Sequence, residues 1–347
     1  MTAVPSDLMT AAIYQGDGRI EVGRVPVPEP APGELLVEVA ECGICGSDLH
    51  LVFEQYARPG SILGHEWSGT VAAGNDAGPD RPPGSRVVFT PTPGCGACRP
   101  CRRGRPSVCR QRAASDMRDM RGAFARYMSV RASNTLLIPD SLSMRAAALA
   151  EPTAIALHAA DLVPVEPDDR VLVTGGGPIG LLIVSVLLAR GVQDITVSEP
   201  SGLRRERARA VGARRTIRPE DLGKPPPAGV VAEPVDVVFE CSGSATAAEQ
   251  ALANLDRAGT MVFVGTGAVP VPVNHNRMII LELEAIGAYN YSAEGFQPAL
   301  DLLDGGAMPL DLLVEPDDVP LGGVMDAMDR LHRGEIAAKV LVNPEVS

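Results

Sequence analysis

The segment VLVTGGGPIGLLIVSVLLAR, from Val171 to Arg190, leaves this chain the least freedom. Four residues of strand character run into Gly175, Gly177 and Gly180, spaced G-x-G-x-x-G, and an apolar helical stretch follows at once. In that context the glycines have separate tasks: a tight turn, close approach of a pyrophosphate to the backbone, and close packing of helix on strand. Pro178 and Ile179 fill the positions before the last glycine, and proline suits a first helical turn because its missing N–H is not needed there. The free N–H groups at the helix start would face the phosphates. The next strand pattern, ITVS, is followed by Glu199, 24 residues beyond Gly175, about where an acid is needed to hold ribose hydroxyls. This acid favours NAD. Arg204 and Arg205 follow closely, and a mobile arginine there could take a 2′-phosphate, which keeps NADP as the less favoured alternative.

The alternation continues through LRRERARAVGA, then VDVVFE after a Pro-rich loop from Gly223 to Pro234, then SATAAEQALANL, TMVFVG and LEAIGAY. Strands alternating with helices predict a parallel sheet covered on both faces. Upstream, from residue 10 to about 130, short apolar runs broken by Gly and Pro (AAIY, LLVEVA, GTVAAG, SRVVFT, ARYMSV) predict a β-rich region instead. After about Tyr289 come a helical stretch and a terminal strand, AAKVLVNP, which need not join the parallel sheet.

A chain of 347 residues is long for one core, so two domains are expected. The net charge of −12 argues against a nucleic-acid partner, whose affinity would come from clustered Lys and Arg. The longest apolar stretch, Pro178 to about Ala189, is short of the roughly 20 residues that span a bilayer. The N-terminal MTAVPSDLMTAAIY lacks the charged and apolar regions of a secretory signal, so a cytoplasmic, reducing location is expected.

Cys95, Cys98, Cys101 and Cys109 form C-x2-C-x2-C-x7-C among Pro, Gly and Arg. Four closely spaced thiolates suit a closed tetrahedral zinc. An iron–sulfur cluster is the rival, but its usual fourth cysteine follows three residues later and precedes Pro, whereas Cys109 follows seven and precedes Arg110. A second constellation is ECGICGSDLH, with Cys42, Cys45, Ser47, Asp48 and His50, followed by GHEWSG, with His65 and Glu66. Thiolate, imidazole and carboxylate all ligate zinc. On spacing alone, Cys42 and Cys45 are equally half of a zinc ribbon or a redox pair.

With these motifs in view, the sequence resembles the zinc-containing medium-chain dehydrogenase/reductase family over nearly its whole length. The markers CGICGSDLH, GHEWSG, the four-cysteine lobe, LAEPTAIALHA, GGGPIG, SEPSGLRRERA, FECSG and KVLV occur in order. The resemblance implies an α/β fold: a GroES-like β-rich catalytic domain, residues 1–153 and 290–347, carrying a zinc lobe at about 91–112, and a Rossmann doubly wound domain, residues 154–289. It implies two zinc ions per chain. The catalytic zinc falls on Cys45 and His65, with Glu151 of LAEPTA as third ligand and Glu66 as an alternative or exchanging one. The lobe cysteines hold the structural zinc.

The resemblance also implies a reaction: a zinc-bound alcohol oxygen, hydride transfer to the nicotinamide, and a proton route from Ser47 through the cofactor ribose towards His50. Asp48 is then expected to orient His65 through its other ring nitrogen. Lys339, in the closing strand, is assigned to the cofactor. The basic residue some relatives carry after the first ligand is here Gly46. Glu151 in place of a cysteine, beside Glu66, makes the site harder and points to a secondary alcohol, polyol, cyclitol or amino alcohol, with Tyr289, Asn290 and Tyr291 offering contacts. Relatives form homodimers and homotetramers through Rossmann edge strands, so residues from Met278 to Ala288 are interface candidates. The alternatives are a zinc-free quinone-type reductase of the same superfamily and a cofactor-binding protein without turnover. His158 and Cys241 are read as packing residues and His275 and His332 as surface residues; Trp67 either packs under the zinc loop or edges the pocket.

Overall fold

The computed structural model describes residues 8–75, 80–91, 94–111, 120–226, 229–292 and 294–346. Residues 92, 93 and 112 of the predicted zinc lobe, and 227 and 228 of the Pro-rich loop, lie outside that set.

The N-terminal strands are β1 (Leu8–Gly16), β2 (Arg19–Pro26), β3 (Glu34–Gly43), β4 (Glu66–Asn75), β5 (Arg86–Phe89), β6 (Tyr127–Arg131) and β7 (Thr135–Leu137). β1 and β2 form an antiparallel hairpin. The rest make an antiparallel sheet in the order β14-β3-β4-β5-β7, with β6 also on β3 and with β14 (Leu341–Val342) arriving from the chain end. The closing run AAKVLVNP therefore belongs to the first sheet, pairing Leu341 with Gly43 and Val342 with Cys42.

The central strands are β8 (Arg170–Thr174), β9 (Asp194–Ser198), β10 (Arg215–Ile217), β11 (Val235–Glu240), β12 (Leu255–Phe263) and β13 (Glu284–Gly287). All pair in parallel, in the order β10-β9-β8-β11-β12-β13. Strand order reverses between β8 and β11, and in a sheet of this kind ligands bind at the carboxyl ends of the strands beside that reversal.

Seven helices matter for the site: α1 (Gly46–Phe53), α2 (Ala150–Asp161), α3 (Pro178–Ala189), α4 (Gly202–Val211), α5 (Ala245–Ala253), α6 (His275–Leu281) and α7 (Val324–His332). Helix α3 is buried without interruption from Gly180 to Leu187, because the sheet and the helices α2 and α4 all pack on it. Small residues of α2, Ala154, Ala156, Ala159 and Ala160, are buried and let the helices approach closely. Helix α1 breaks the predicted all-β texture, and its N-terminal turn is fixed where the N–H of Cys45 donates to Asp48 Oδ2 at 3.0 Å. Among the described residues, no helix is long and apolar enough to cross a membrane.

Candidate metal and cofactor site

A cleft of about 850 Å³ runs between the two sheets and is lined by Cys45, His50, Gly177, Glu199, Ser242 and Lys339, among others. The glycine turn fits a dinucleotide on steric grounds. Gly175 has φ +91°, and a Cβ on Gly180 would lie 2.0 Å from the Gly175 carbonyl oxygen, so helix and turn can close only without side chains. A Cβ on Gly177 would meet nothing nearer than Arg204 Nη1, at 3.9 Å, so this glycine faces open space above the start of α3.

Glu199 is buried at the end of β9, with Oε2 accepting from the Gly176 N–H and Oε1 from the Ser201 N–H, each at 2.8 Å. Arg204 is not free to move as the sequence suggested. Its Nε and Nη2 donate to the carbonyls of Ile336 at 2.9 Å and Leu331 at 3.0 Å. Arg205 is held in turn by the carbonyls of Glu199 and Pro200, both at 2.7 Å.

Beside the cleft, where Cys45 forms part of its wall, ligand atoms of Cys45, His65 and Glu66 all lie within 4.8 Å of one another. Cys45 stands at the start of α1, His65 before β4 and Glu66 at the first position of β4, so strand and helix converge on one point. Ser47 Oγ is 3.5 Å from His65 Nε2. Asp48 faces the other nitrogen, but its Oδ1 is 3.6 Å from His65 Nδ1, beyond hydrogen-bond range, and its carboxylate takes the N–H groups of Cys45 and Gly64. The predicted orienting hydrogen bond is thus a longer electrostatic contact. Burial opposes charge on His65, yet Asp48 and Cys45 hold its pKa well above the ordinary histidine range. A buried negative field of this kind is what a divalent cation relieves, and the mixed S, N and O donors fit zinc.

Glu151 is buried close by on α2, outside the tight cluster, and accepts a hydrogen bond from the buried Tyr291 hydroxyl. Burial pushes Glu151 up to about 7, against the pull of His65. Lys339 lines the cleft, but its ammonium is committed elsewhere, to Glu66 Oε2 at 2.7 Å and the Ile44 carbonyl at 3.0 Å. Despite burial, Glu66 and Cys45 keep Lys339 charged above the ordinary lysine range. The contact partner of Lys339 in the structure is thus Glu66, 273 residues away in the sequence, rather than the open cleft.

The lobe cysteines form the second cluster. Their Sγ separations of 3.4, 3.9 and 4.0 Å bracket the edge of about 3.8 Å expected for four sulfurs around one zinc. Backbone N–H groups of Cys95 and Gln111 draw Cys109 down to about 6, whereas burial and the neighbouring thiols push Cys101 up to about 12. Four thiols this close cannot all ionise without a cation among them, which again fits the metal.

His50 lies one turn beyond Ser47 on α1, half-exposed, with Nδ1 2.6 Å from Glu54 Oε1. His332 is exposed but belongs to the cleft wall, its ring packed at a 47° tilt against Phe53 with 5.0 Å between ring centroids. Cys241 is half-buried in the same wall. Trp67 is buried in the first core, and His158 is buried in α2. Sequence spacing did not reveal the Tyr291 contact to Glu151, the C-terminal carbonyls that hold Arg204, or Glu240, whose buried carboxylate organises the loop after β11.

Comparisons with known proteins agree with this geometry. The model of the alcohol dehydrogenase GroES-like domain matches residues 31–140, and that of the zinc-binding dehydrogenases matches residues 178–305. Sorbitol dehydrogenase of Bacillus subtilis is 32% identical over 99% of both chains. L-threonine 3-dehydrogenase of Pyrococcus abyssi is 34% identical over 85% of this chain and 86% of its own length. A solved structure described as a zinc-binding dehydrogenase from Sinorhizobium meliloti, bound to NADP, superposes with a TM-score of 0.85 at 33% identity, covering 98% of this chain and all of the other.

Proposed function

Because the chain belongs to the zinc-dependent medium-chain dehydrogenase family, we propose that it transfers hydride between a small secondary alcohol, with a neighbouring hydroxyl or amino group, and NAD. The carrying observation is the cluster of Cys45, His65 and Glu66, beside Ser47 and opening into the cleft of the glycine turn. When bound there, zinc supplies Lewis-acid polarisation of the alcohol oxygen and NAD accepts the hydride. Ser47 is placed to hydrogen-bond the substrate hydroxyl, and His50, further out on α1 with Glu54 behind it, to pass a proton towards solvent. We assign one zinc to this site and a second to the lobe. Residues 1–153 and 290–347 are taken as the catalytic domain and 154–289 as the dinucleotide domain. Seven free cysteines suit a reducing, cytoplasmic compartment.

The substrate class rests on the carboxylates. Glu66 and Glu151 give the cluster a harder donor set than thiolates would, so a second substrate oxygen or nitrogen can approach the ion. Sorbitol and threonine, named in two relatives, both carry such a neighbouring group. NAD is favoured because Glu199, the acid we assign to the ribose hydroxyls, is held by backbone N–H groups while Arg204 and Arg205 are engaged by backbone carbonyls. Specificity constants for vicinal diols, polyols and amino alcohols, each with NAD and NADP, should exceed those of matched simple primary alcohols and should be higher with NAD. Simple primary alcohols ahead by about tenfold, roughly 1.4 kcal/mol in the transition state, would sink the substrate class. Higher efficiency with NADP would sink the cofactor choice.

We further propose a homodimer, extending to a homotetramer, through the outer edge of β13. That edge strand has unpaired backbone groups on one side. Beside it Val269, Val273, Ile279 and Ile280 are 67%, 48%, 70% and 62% exposed, an apolar surface more typical of an interface than of a free face. Sedimentation of wild type should give a dimer or tetramer, and Ile280→Glu should shift it towards monomer. A monomeric wild type, or a variant that sediments unchanged, contradicts this assembly.

A further inference from the structure

A buried carboxylate under the cleft takes no part in the metal clusters or the glycine turn. Glu240 is the last residue of β11 and 1% exposed. Its Oε1 accepts the backbone N–H of Ser242 at 2.8 Å and of Gly243 at 3.1 Å, its Oε2 lies 3.2 Å from the Gly243 nitrogen, and the Ser242 hydroxyl donates to it as well. Thr174, the last residue of β8 and the one before Gly175, adds its hydroxyl at 3.4 Å. The main chain around it is knitted across three strand ends: Cys241 N–H donates to the Thr174 carbonyl, and the N–H groups of Val264 and Gly265 donate to the Glu240 carbonyl, each at 2.8 Å. Among the described residues, no lysine, arginine or histidine pairs with Glu240. Hydrogen-bond donors alone offset the cost of burying this carboxylate, which ties it to one loop geometry.

The loop held in this way is part of the cleft wall, since Ser242, Gly243 and Ser244 line it, and so do Thr266 and Gly267 of the loop after β12. The two loops meet backbone on backbone. A Cβ on Gly243 would lie 2.1 Å from the Thr266 carbonyl oxygen, and one on Gly267 would lie 2.0 Å from that of Gly243. Neither loop can shift without the other. On the dinucleotide reading, Glu199 would hold the adenosine ribose on the β8–β10 side, which leaves the β11–β12 side for the nicotinamide half.

We propose that Glu240 is a positioning residue for the cofactor: through Ser242 and Gly243 it sets the wall that receives the nicotinamide half, without touching the cofactor itself. This rests on the dinucleotide reading above. In Glu240→Gln the amide oxygen can take the donors of one carboxylate oxygen, but the amide NH2 then meets the Gly243 N–H and the charge-assisted acceptor that gathers the loop is lost, so the loop loosens.

The test is a titration of the zinc-loaded protein and its variant with NAD and with ADP, which lacks the nicotinamide nucleotide. Wild type should bind both. In Glu240→Gln the Kd for NAD should rise tenfold or more, while the Kd for ADP stays within twofold and the zinc content is unchanged. Ser242→Ala, at an exposed position, removes one donor and should give the same selective loss at about threefold, which keeps the test open if the first variant does not fold. Equal weakening of NAD and ADP, or unchanged NAD affinity in the folded variants, overturns the proposal. A wild type that binds neither ligand overturns the dinucleotide reading instead.

Discussion

Cys45→Ser is expected to abolish turnover, by about a thousandfold or more, while leaving the protein folded and holding one zinc. Cys45 joins His65 and Glu66 in the only ligand cluster that opens into the cleft among the described residues. A serine hydroxyl is neutral and a far weaker zinc ligand than a thiolate. The charge stabilisation an ion gives a developing alkoxide is worth several kcal/mol, and a thousandfold loss corresponds to about 4 kcal/mol. The fold should tolerate the change, because Cys45 is only half-buried, its backbone N–H anchors the start of α1 through Asp48, and a serine hydroxyl is itself a favourable N-cap acceptor. Elemental analysis should find two zinc ions in wild type and one in the variant, with little change in the melting curve. The assignment fails if the variant keeps two zinc ions and activity within tenfold of wild type. It fails equally if wild type contains iron or a single zinc.

How far the sequence leads depends on whether a contact is local. The glycine turn, the strand–helix alternation and the four-cysteine lobe are all written in residues close along the chain, and each is found where its spacing placed it. Helix α1 is local too, but it hides in a β-rich stretch, and its one signal is an acid three residues after Cys45, half of a capping arrangement. The remaining site contacts are long-range. Lys339 finds Glu66 across 273 residues, Tyr291 finds Glu151 across 140, and Arg204 finds the Ile336 carbonyl across 132. No periodicity encodes such pairs, because they come from the return of the C-terminal segment to the first sheet. That return also explains why the apolar run AAKVLVNP contributes only Leu341 and Val342 to the sheet ladder. Its neighbours are held instead by isolated bridges, such as Val314 to Lys339. The metal donors were legible as residue types, whereas the division of labour between Glu66 and Glu151 depends on where Lys339 and Tyr291 arrive.

Cys98→Ser should chiefly destabilise the protein, lowering the zinc count to one without removing the catalytic site. The lobe has almost no core of its own: the short helix Arg99–Arg102 buries no residue, and of the four cysteines only Cys109 is buried. What holds the lobe is the sulfur cluster, supported by backbone N–H groups of Cys98, Cys95 and Gln111 that donate to Cys95 and Cys109 Sγ at 3.3 to 3.4 Å. Structural zinc binding is worth about 10–16 kcal/mol in small peptides, and in a closed site this is folding energy. Losing a ligand from such a site belongs with the few single changes that cost roughly 4 kcal/mol or more. The basic residues supply a local readout. Arg99, Arg102, Arg103, Arg105 and Arg110 lie within the lobe, so trypsin should cut there in the variant, and in chelator-treated wild type, well before it cuts the untreated protein. At low temperature the intact variant should still oxidise its alcohol, because Cys45, His65 and Glu66 form a separate cluster from the lobe. A Cys98→Ser protein that melts with wild type and resists trypsin equally would mean that packing, and not the metal, holds the lobe.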